Sequence, residues 1–160
     1  MSKTIRKKAN GAPDNDPDRL VVTFANGEQV AYSISDETRI PSNPDELVRE
    51  AAKAPQQYGT WADLTATALR KVRNLEYTLQ VMEAEIGWAV RAYIQQNDSP
   101  SYVSEDHVKR GVSANEKIQQ ARRKLNHARH KYERIRAVRD AVAHKCRIIA
   151  NMVAGAYKGI

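Results

Sequence analysis

His127, His130 and Glu133 stand three residues apart, a spacing that brings side chains to one helical face and could hold a metal ion. The same spacing is common on any long polar helix, and a solvated face is the simpler reading. His107 and His144 have no such companions. The seven glycines are scattered and form no phosphate-cradling loop, and no nucleophile motif is present. The chain therefore reads as a non-enzyme without a cofactor or metal. What remains is charge. Between Lys117 and Arg147 lie eleven Lys or Arg residues and two acids, Glu133 and Asp140, which leaves +9 on this segment against +7 for the whole chain.

A charge run is usually a solvated helix face, and basic residues beside a helical seam are ordinary. Such helices, however, carry nearly as many acids as bases, because paired charges cost less than repelling ones. Here Arg122-Arg123-Lys124 and the set Arg129, Lys131, Arg134 and Arg136 go uncompensated within the segment. Self-repulsion on that scale favours an external polyanion, nucleic acid ahead of an acidic protein or a membrane surface. No zinc-finger, helix-turn-helix or basic-zipper pattern is visible, so neutralisation of the phosphate backbone with weak sequence preference is the expectation. Trp88, Tyr93 and Tyr132 lie near basic residues and could stack on single-stranded bases. For Trp88 and Tyr132, beside or on apolar seams, core packing is the simpler role.

Two long helices must position these groups. In the second, Ile118, Ala121, Leu125, Ala128, Tyr132, Ile135, Val142, Cys146, Ile149 and Val153 recur at 3–4 spacing; Arg139 interrupts the line and Val138 partly fills the gap. In the first, capped by Thr60, the seam is Trp61, Leu64, Ala68, Val72, Leu75, Leu79, Met82, Ile86, Ala89 and Tyr93. The turn formers Asn97-Asp98-Ser99-Pro100-Ser101 end it. A short helix from about Asp106 then leads to Ser113-Ala-Asn-Glu116, which reads as a capping box opening the basic helix. A connection this short makes the pair an antiparallel hairpin.

Upstream, Asn43-Pro44-Asp45-Glu46 opens a short helix that should stop before Pro55. Two β-rich runs, Leu20–Ala25 and Glu28–Ile34, flank Asn26-Gly27 and predict a β-hairpin closed by a two-residue type I′ turn. The fold class is thus all-α, a long antiparallel helical hairpin with short helices and a small N-terminal β-hairpin. Residues 1–18 form a flexible basic arm, 19–40 the hairpin extension, and 41–160 a helical domain for oligomerisation and DNA binding. A lone helix pair leaves its seam half exposed, so Leu75, Leu79, Ile86, Leu125, Tyr132, Ile135, Val142 and Ile149 are the candidates for association. Cys146 is the single cysteine, so no intramolecular disulfide can form, and it reads as a small apolar seam residue in a reducing compartment. No apolar run approaches the ~20 residues that span a bilayer. The basic N-terminus lacks the apolar core of a signal peptide, and the expected location is the cytoplasm, of the host cell if the gene is a phage's.

Two stretches resemble the UvsY recombination mediators of T-even and related phages. The first is Leu47-x-x-Glu50-Ala51-Ala52 followed by Tyr58-x-x-Trp61; the second is Lys109-x-x-Val112-Ser113-Ala114-Asn115-x-x-Ile118, then Leu125 and Asp140-Ala141. The likeness covers roughly residues 44 to 153, and residues 1–40 have no counterpart. The family's basic cluster and paired aromatics near the end of the first long helix are matched by Arg91 and Tyr93, with Ile94 in place of the second aromatic. The resemblance implies a ring-like homo-oligomer that binds single-stranded DNA, displaces single-strand-binding protein and loads a RecA-like recombinase. Lys71, Arg73 and Arg91 on the first long helix, with Arg122, Arg123, Arg129 and Arg136 on the second, are the candidate phosphate contacts. The alternative is a phage structural or scaffolding coiled-coil protein with no DNA-loading role.

Overall fold

The computed structural model describes residues 16–24, 27–97 and 103–158, with residues 157 and 158 described as backbone alone. Strands β1 (Arg19–Thr23) and β2 (Gln29–Ser33) are followed by helices α1 (Ile34–Thr38), α2 (Pro44–Asn97), α3 (Glu105–Ala114) and α4 (Glu116–Lys158). The protein is all-α with a small antiparallel N-terminal hairpin, the class that the 3–4 ladders and the paired β runs require. The basic arm lies outside the described residues apart from its last three, and the turn formers after Asn97 lie outside them too. The chain divides into two compact units, residues up to 65 with those from 133 onward, and residues 66–132. Both long helices contribute to each unit.

In the 66–132 unit, Val72 of α2 packs with Leu125 and Ala128 of α4, and Leu75, Leu79 and Tyr132 close around them. Val108 and Val112 of α3 then join Ile118 of α4, with Leu79, Met82, Ile86 and Val103 against that cluster. Two apolar residues of α3, one turn apart, thus extend the core beyond what two helices alone could enclose. They also change which residues of α2 face inward. Ala89 and Tyr93, expected on the seam, are exposed, while Val90 is half-buried. The reason is α3 itself, where Gly111 lies so close to Val90 that a β-carbon on it would sit 2.7 Å from Val90 Cγ1.

The opening of α4 also differs from expectation. Ser113 lies inside α3, and Asn115 serves both helices: its N–H donates to Val112 O, and its Oδ1 accepts from Lys117 N–H at 3.0 Å. Asparagine is among the best N-cap residues, and an extended Asn115 (φ −68°, ψ 125°) leaves no room for a box starting two residues earlier.

The other unit holds the hairpin. β1 and β2 pair antiparallel with Val21 opposite Ala31. Leu20 and Val22, two apart on one face of β1, are buried. The connection is not a two-residue turn. Gly27 N–H donates to Phe24 O and Phe24 N–H donates to Glu28 O, so three residues lie between the closing pair. A three-residue loop of this kind places glycine at the left-handed position, and Gly27 has φ +80°. Asn26 itself lies outside the described residues.

α2 runs unbroken from Pro44 through Pro55, so the expected stop and the Thr60 cap are both corrected. Asn43 does cap the start, its Oδ1 accepting from Asp45 N–H at 2.9 Å. Thr60 instead donates its hydroxyl to Gln56 O, one turn back within the helix. An internal proline costs about 3 kcal/mol. Burial on both sides of it outweighs that cost: Leu47 before it, then Trp61, Leu64 and Thr65 after it, are all buried. α4 keeps the expected ladder in this unit, with Ile135, Val138, Val142 and Ile149 buried and Cys146 half-buried. Val138 does fill the gap at Arg139.

Gly111→Ala should destabilise the protein by about 1–3 kcal/mol, the range for overpacking, although alanine is the better helix former. Urea unfolding of Gly111→Ala and of Gly111→Ala with Val90→Ala checks this, and the second substitution is expected to restore most of the loss.

Candidate nucleic-acid interface

The basic segment begins in the 66–132 unit, and the structure sorts its cations into two groups. Arg122 donates to Glu83 Oε1 from both Nε and Nη2 (3.3 and 2.8 Å), and Arg129 does the same to Glu76 Oε1 (3.2 and 2.6 Å). Each acid lies on α2. Glu76 and Glu83 are seven residues apart, as are Arg122 and Arg129, and the antiparallel direction of the helices matches the first acid with the second arginine. Compensation absent within the segment therefore comes from the facing helix. This signal was available in the sequence as two heptad-spaced pairs of opposite sign. Partly exposed ion pairs contribute about 0–1 kcal/mol each, so their consequence lies mainly in register and in spent charge.

The second group is unspent. Lys71 and Arg73 on α2 and Lys117, Arg123 and Lys124 on α4 are exposed and make no ion pair among the described residues. The candidate Arg91 belongs to the first group, its guanidinium bound to Glu105 at the start of α3. Lys117 and Lys124, seven apart, lie on the flank of α4 opposite the paired arginines. Their seven-residue spacing is the sequence signal that marks this flank.

The aromatics divide differently from expectation. Tyr132 is half-buried against the core, as expected, but Trp88 is 75% exposed, which corrects its assignment to core packing. Tyr93 is also exposed. A groove of ≈ 420 Å³ on this unit is lined in part by Trp88, Arg91, Lys109 and Arg122 together with Glu83 and Glu105. Its two arginines are already matched by its two acids, leaving Lys109 as the surplus charge. The groove is therefore a weaker anion site than the open flank of α4.

In the other unit the arrangement is structural. Arg134 Nη2 donates to the Pro17 and Arg19 carbonyls at 3.2 and 2.9 Å, tying α4 to the hairpin. Arg136 is exposed, 3.9 Å from Glu133, its neighbour one turn back. His127, His130 and Glu133 are all exposed, and no three His, Cys, Asp or Glu side chains are placed to hold a metal ion among the described residues. Of the association candidates, Leu125, Ile135, Val142 and Ile149 are buried within one chain, while Leu75, Leu79, Ile86 and Tyr132 are half-buried.

One buried ion pair was missed altogether. Lys145 is only 4% exposed and occupies the apolar line Val138, Val142, Lys145, Ile149. Its Nζ donates to Glu37 O and Glu50 Oε2, both at 3.1 Å. Glu37 also accepts through Oε2 from Gln57 Nε2 at 2.8 Å and Trp61 Nε1 at 3.0 Å, and the Trp61 ring meets Tyr32 of β2 with centroids 5.1 Å apart. A lysine in the middle of the ladder thus joins α1, α2 and α4. Nothing in spacing marks it, because its partners come from residues 37 and 50. Beside it, burial pushes the Cys146 thiol up, and Sγ lies 3.8 Å from Ala54 O as a weak donor.

The chain matches no protein-family model, no curated protein and no solved structure. Among the described residues, no helix is long and apolar enough to cross a membrane.

Desolvation raises the pKa of Glu50, but the hydrogen bonds and charges of Lys145 and Lys53 outweigh it and hold the carboxyl below its ordinary value. A carboxylate with a depressed folded pKa stabilises the protein above its unfolded value of about 4.3 and loses that contribution as pH falls through the folded value. Urea unfolding should therefore show a steeper loss of stability below about pH 4.3 for the wild type than for Glu50→Gln. Lys145→Ala, which empties a buried position and leaves half-buried Glu50 without this cation, should cost about 3 kcal/mol at neutral pH.

Proposed function

We propose that this protein is a non-enzymatic, single-stranded-DNA-binding recombination mediator that loads a RecA-like recombinase onto DNA coated with single-strand-binding protein. The observation that carries the DNA-binding part is that exposed cations of the 66–132 unit, Lys71, Arg73, Lys117, Arg123 and Lys124 among them, make no ion pair among the described residues, while Arg91, Arg122 and Arg129 are neutralised. Twelve Lys or Arg against seven acids fall in this unit, so its field stays positive after internal pairing. Three flexible lysines with Arg73 and Arg123 neutralise a phosphate backbone without reading base edges. Exposed Tyr93 adds a ring on which a base can stack.

The mediator role rests on the resemblance between residues 44 and 153 and the UvsY proteins. In that reading each subunit's phosphate contacts are weak at physiological salt, and a ring-like homo-oligomer repeats them along one strand, so linked sites supply avidity. A strand held at several points is bent or stretched, which loosens a competing protein that prefers another geometry. Such action belongs in the host cytoplasm and needs neither cofactor nor metal.

Fluorescence anisotropy with a labelled single strand and the corresponding duplex is the first test. Tighter binding to the single strand is expected, weakening steeply with salt. The second is the DNA-dependent ATPase of a RecA-like recombinase on single strands precoated with single-strand-binding protein, which the protein should restore. Equal affinity for single and double strands, or no restoration, would falsify the mediator reading.

A further inference from the structure

The outer face of α2 carries a second ladder, on the opposite side of the helix from the core seam. Arg70, Asn74, Tyr77, Val81, Ala84 and Trp88 follow one another at steps of four, three, four, three and four, and all six are exposed. Tyr77 is 69%, Val81 38% and Trp88 75% exposed. Residues at such steps share one narrow stripe of a helix. Here the stripe is about 27 Å long at 1.5 Å per residue and lies wholly within the 66–132 unit. An apolar stripe rimmed by polar residues marks a contact surface.

We infer that this stripe is the contact between two copies of the chain, packed antiparallel about a two-fold axis. The order of steps reads the same in both directions, so a reversed copy meets the first layer by layer. Tyr77 then faces Val81 of the other copy and Asn74 faces its Ala84, each layer joining a large side chain to a small one. At the ends Arg70 faces Trp88. Arg70 makes no ion pair among the described residues, and a guanidinium over an indole face is the favourable cation–π arrangement. A parallel copy would instead set Arg70 against Arg70 and Trp88 against Trp88.

The area is adequate. Aromatic side chains bury 150–250 Å² each, so four rings exposed to this degree bring on the order of 500 Å². The other layers and the flanks carry the total towards the ~1,200 Å² of a small stable interface. A two-fold contact uses the same patch on both copies and closes at two chains, so a ring needs a further, head-to-tail contact. The inference deepens the assembly part of the reading above and stands apart from its DNA-binding part.

The test uses the full chain with Cys146→Ser as parent. Sedimentation equilibrium at tens of micromolar should give a mass above one chain for the parent. Tyr77→Glu with Val81→Glu, which leaves the core face untouched, should raise the dissociation constant at least tenfold with unchanged helical circular dichroism. A parent that sediments as one chain, or a double variant that associates like the parent, overturns the inference. Orientation is read from disulfide cross-linking. Asn74→Cys with Ala84→Cys should give covalent dimers, whereas either substitution alone should give none. Cross-linking by Ala84→Cys alone, the signature of a parallel pair, overturns it as well. Neither readout involves DNA, so loss of the DNA-binding reading leaves this inference standing, and the reverse also holds.

Discussion

In the 66–132 unit, Val72 of α2 packs on Leu125 and Ala128 of α4, and that contact fixes the register on which the unit's other relations depend. It sets Glu76 beside Arg129 and Glu83 beside Arg122. It leaves room at one end for α3, whose Gly111 approaches Val90 closely enough to decide which residues of α2 face inward. The apolar contact supplies the energy, since fully burying one valine or leucine side chain is worth roughly 1.5–3 kcal/mol, while each exposed ion pair adds at most about 1 kcal/mol. The ion pairs reinforce a register that packing has already chosen.

That register also decides how the positive charge is used. A count along α4 makes its arginines look alike, but in the 66–132 unit Arg122 and Arg129 meet acids of α2, while Arg123 makes no ion pair among the described residues. Two sets seven residues apart, Arg122 with Arg129 and Lys117 with Lys124, lie on opposite flanks of the same helix. Only the second flank is available to an anion without first breaking a contact. In the other unit the same helix spends its charge on architecture: Arg134 holds the hairpin through two carbonyls, and Lys145 joins α1 and α2 from a buried position. Charge surplus, taken as one number for the segment, therefore overstates what α4 can offer a partner.

The seams of the two long helices were legible because 3–4 spacing is a property of local sequence alone, and Leu125, Ile135, Val142 and Ile149 fell where it placed them. Pro55 was misread because the local rule is sound but small beside the burial of Leu47, Trp61 and Leu64. Asn26-Gly27 predicted a hairpin correctly and its loop length wrongly, since one glycine at positive φ serves a two- or a three-residue loop and pairing of the strands decides between them. Lys145 was invisible because its partners, Glu37 and Glu50, are about a hundred residues away in the chain. Trp88 was assigned inward from its neighbourhood, yet it stands on the opposite side of α2 from Leu75, Leu79 and Ile86. Long-range partners account for the differences at Pro55, the hairpin loop and Lys145, whereas the outward place of Trp88 follows from helical spacing itself.

The central claim is that pairing with α2 divides the cations of α4 into structural and available sets, and the salt dependence of oligonucleotide binding tests it most directly. For a labelled single strand, each phosphate contact contributes about 0.7 to the slope of log affinity against log salt. Arg123→Gln with Lys124→Gln should therefore lower the slope by about 1.4, while Arg122→Gln with Arg129→Gln should leave it unchanged. Equal losses from the two double variants, or a loss confined to Arg122 and Arg129, would contradict the division.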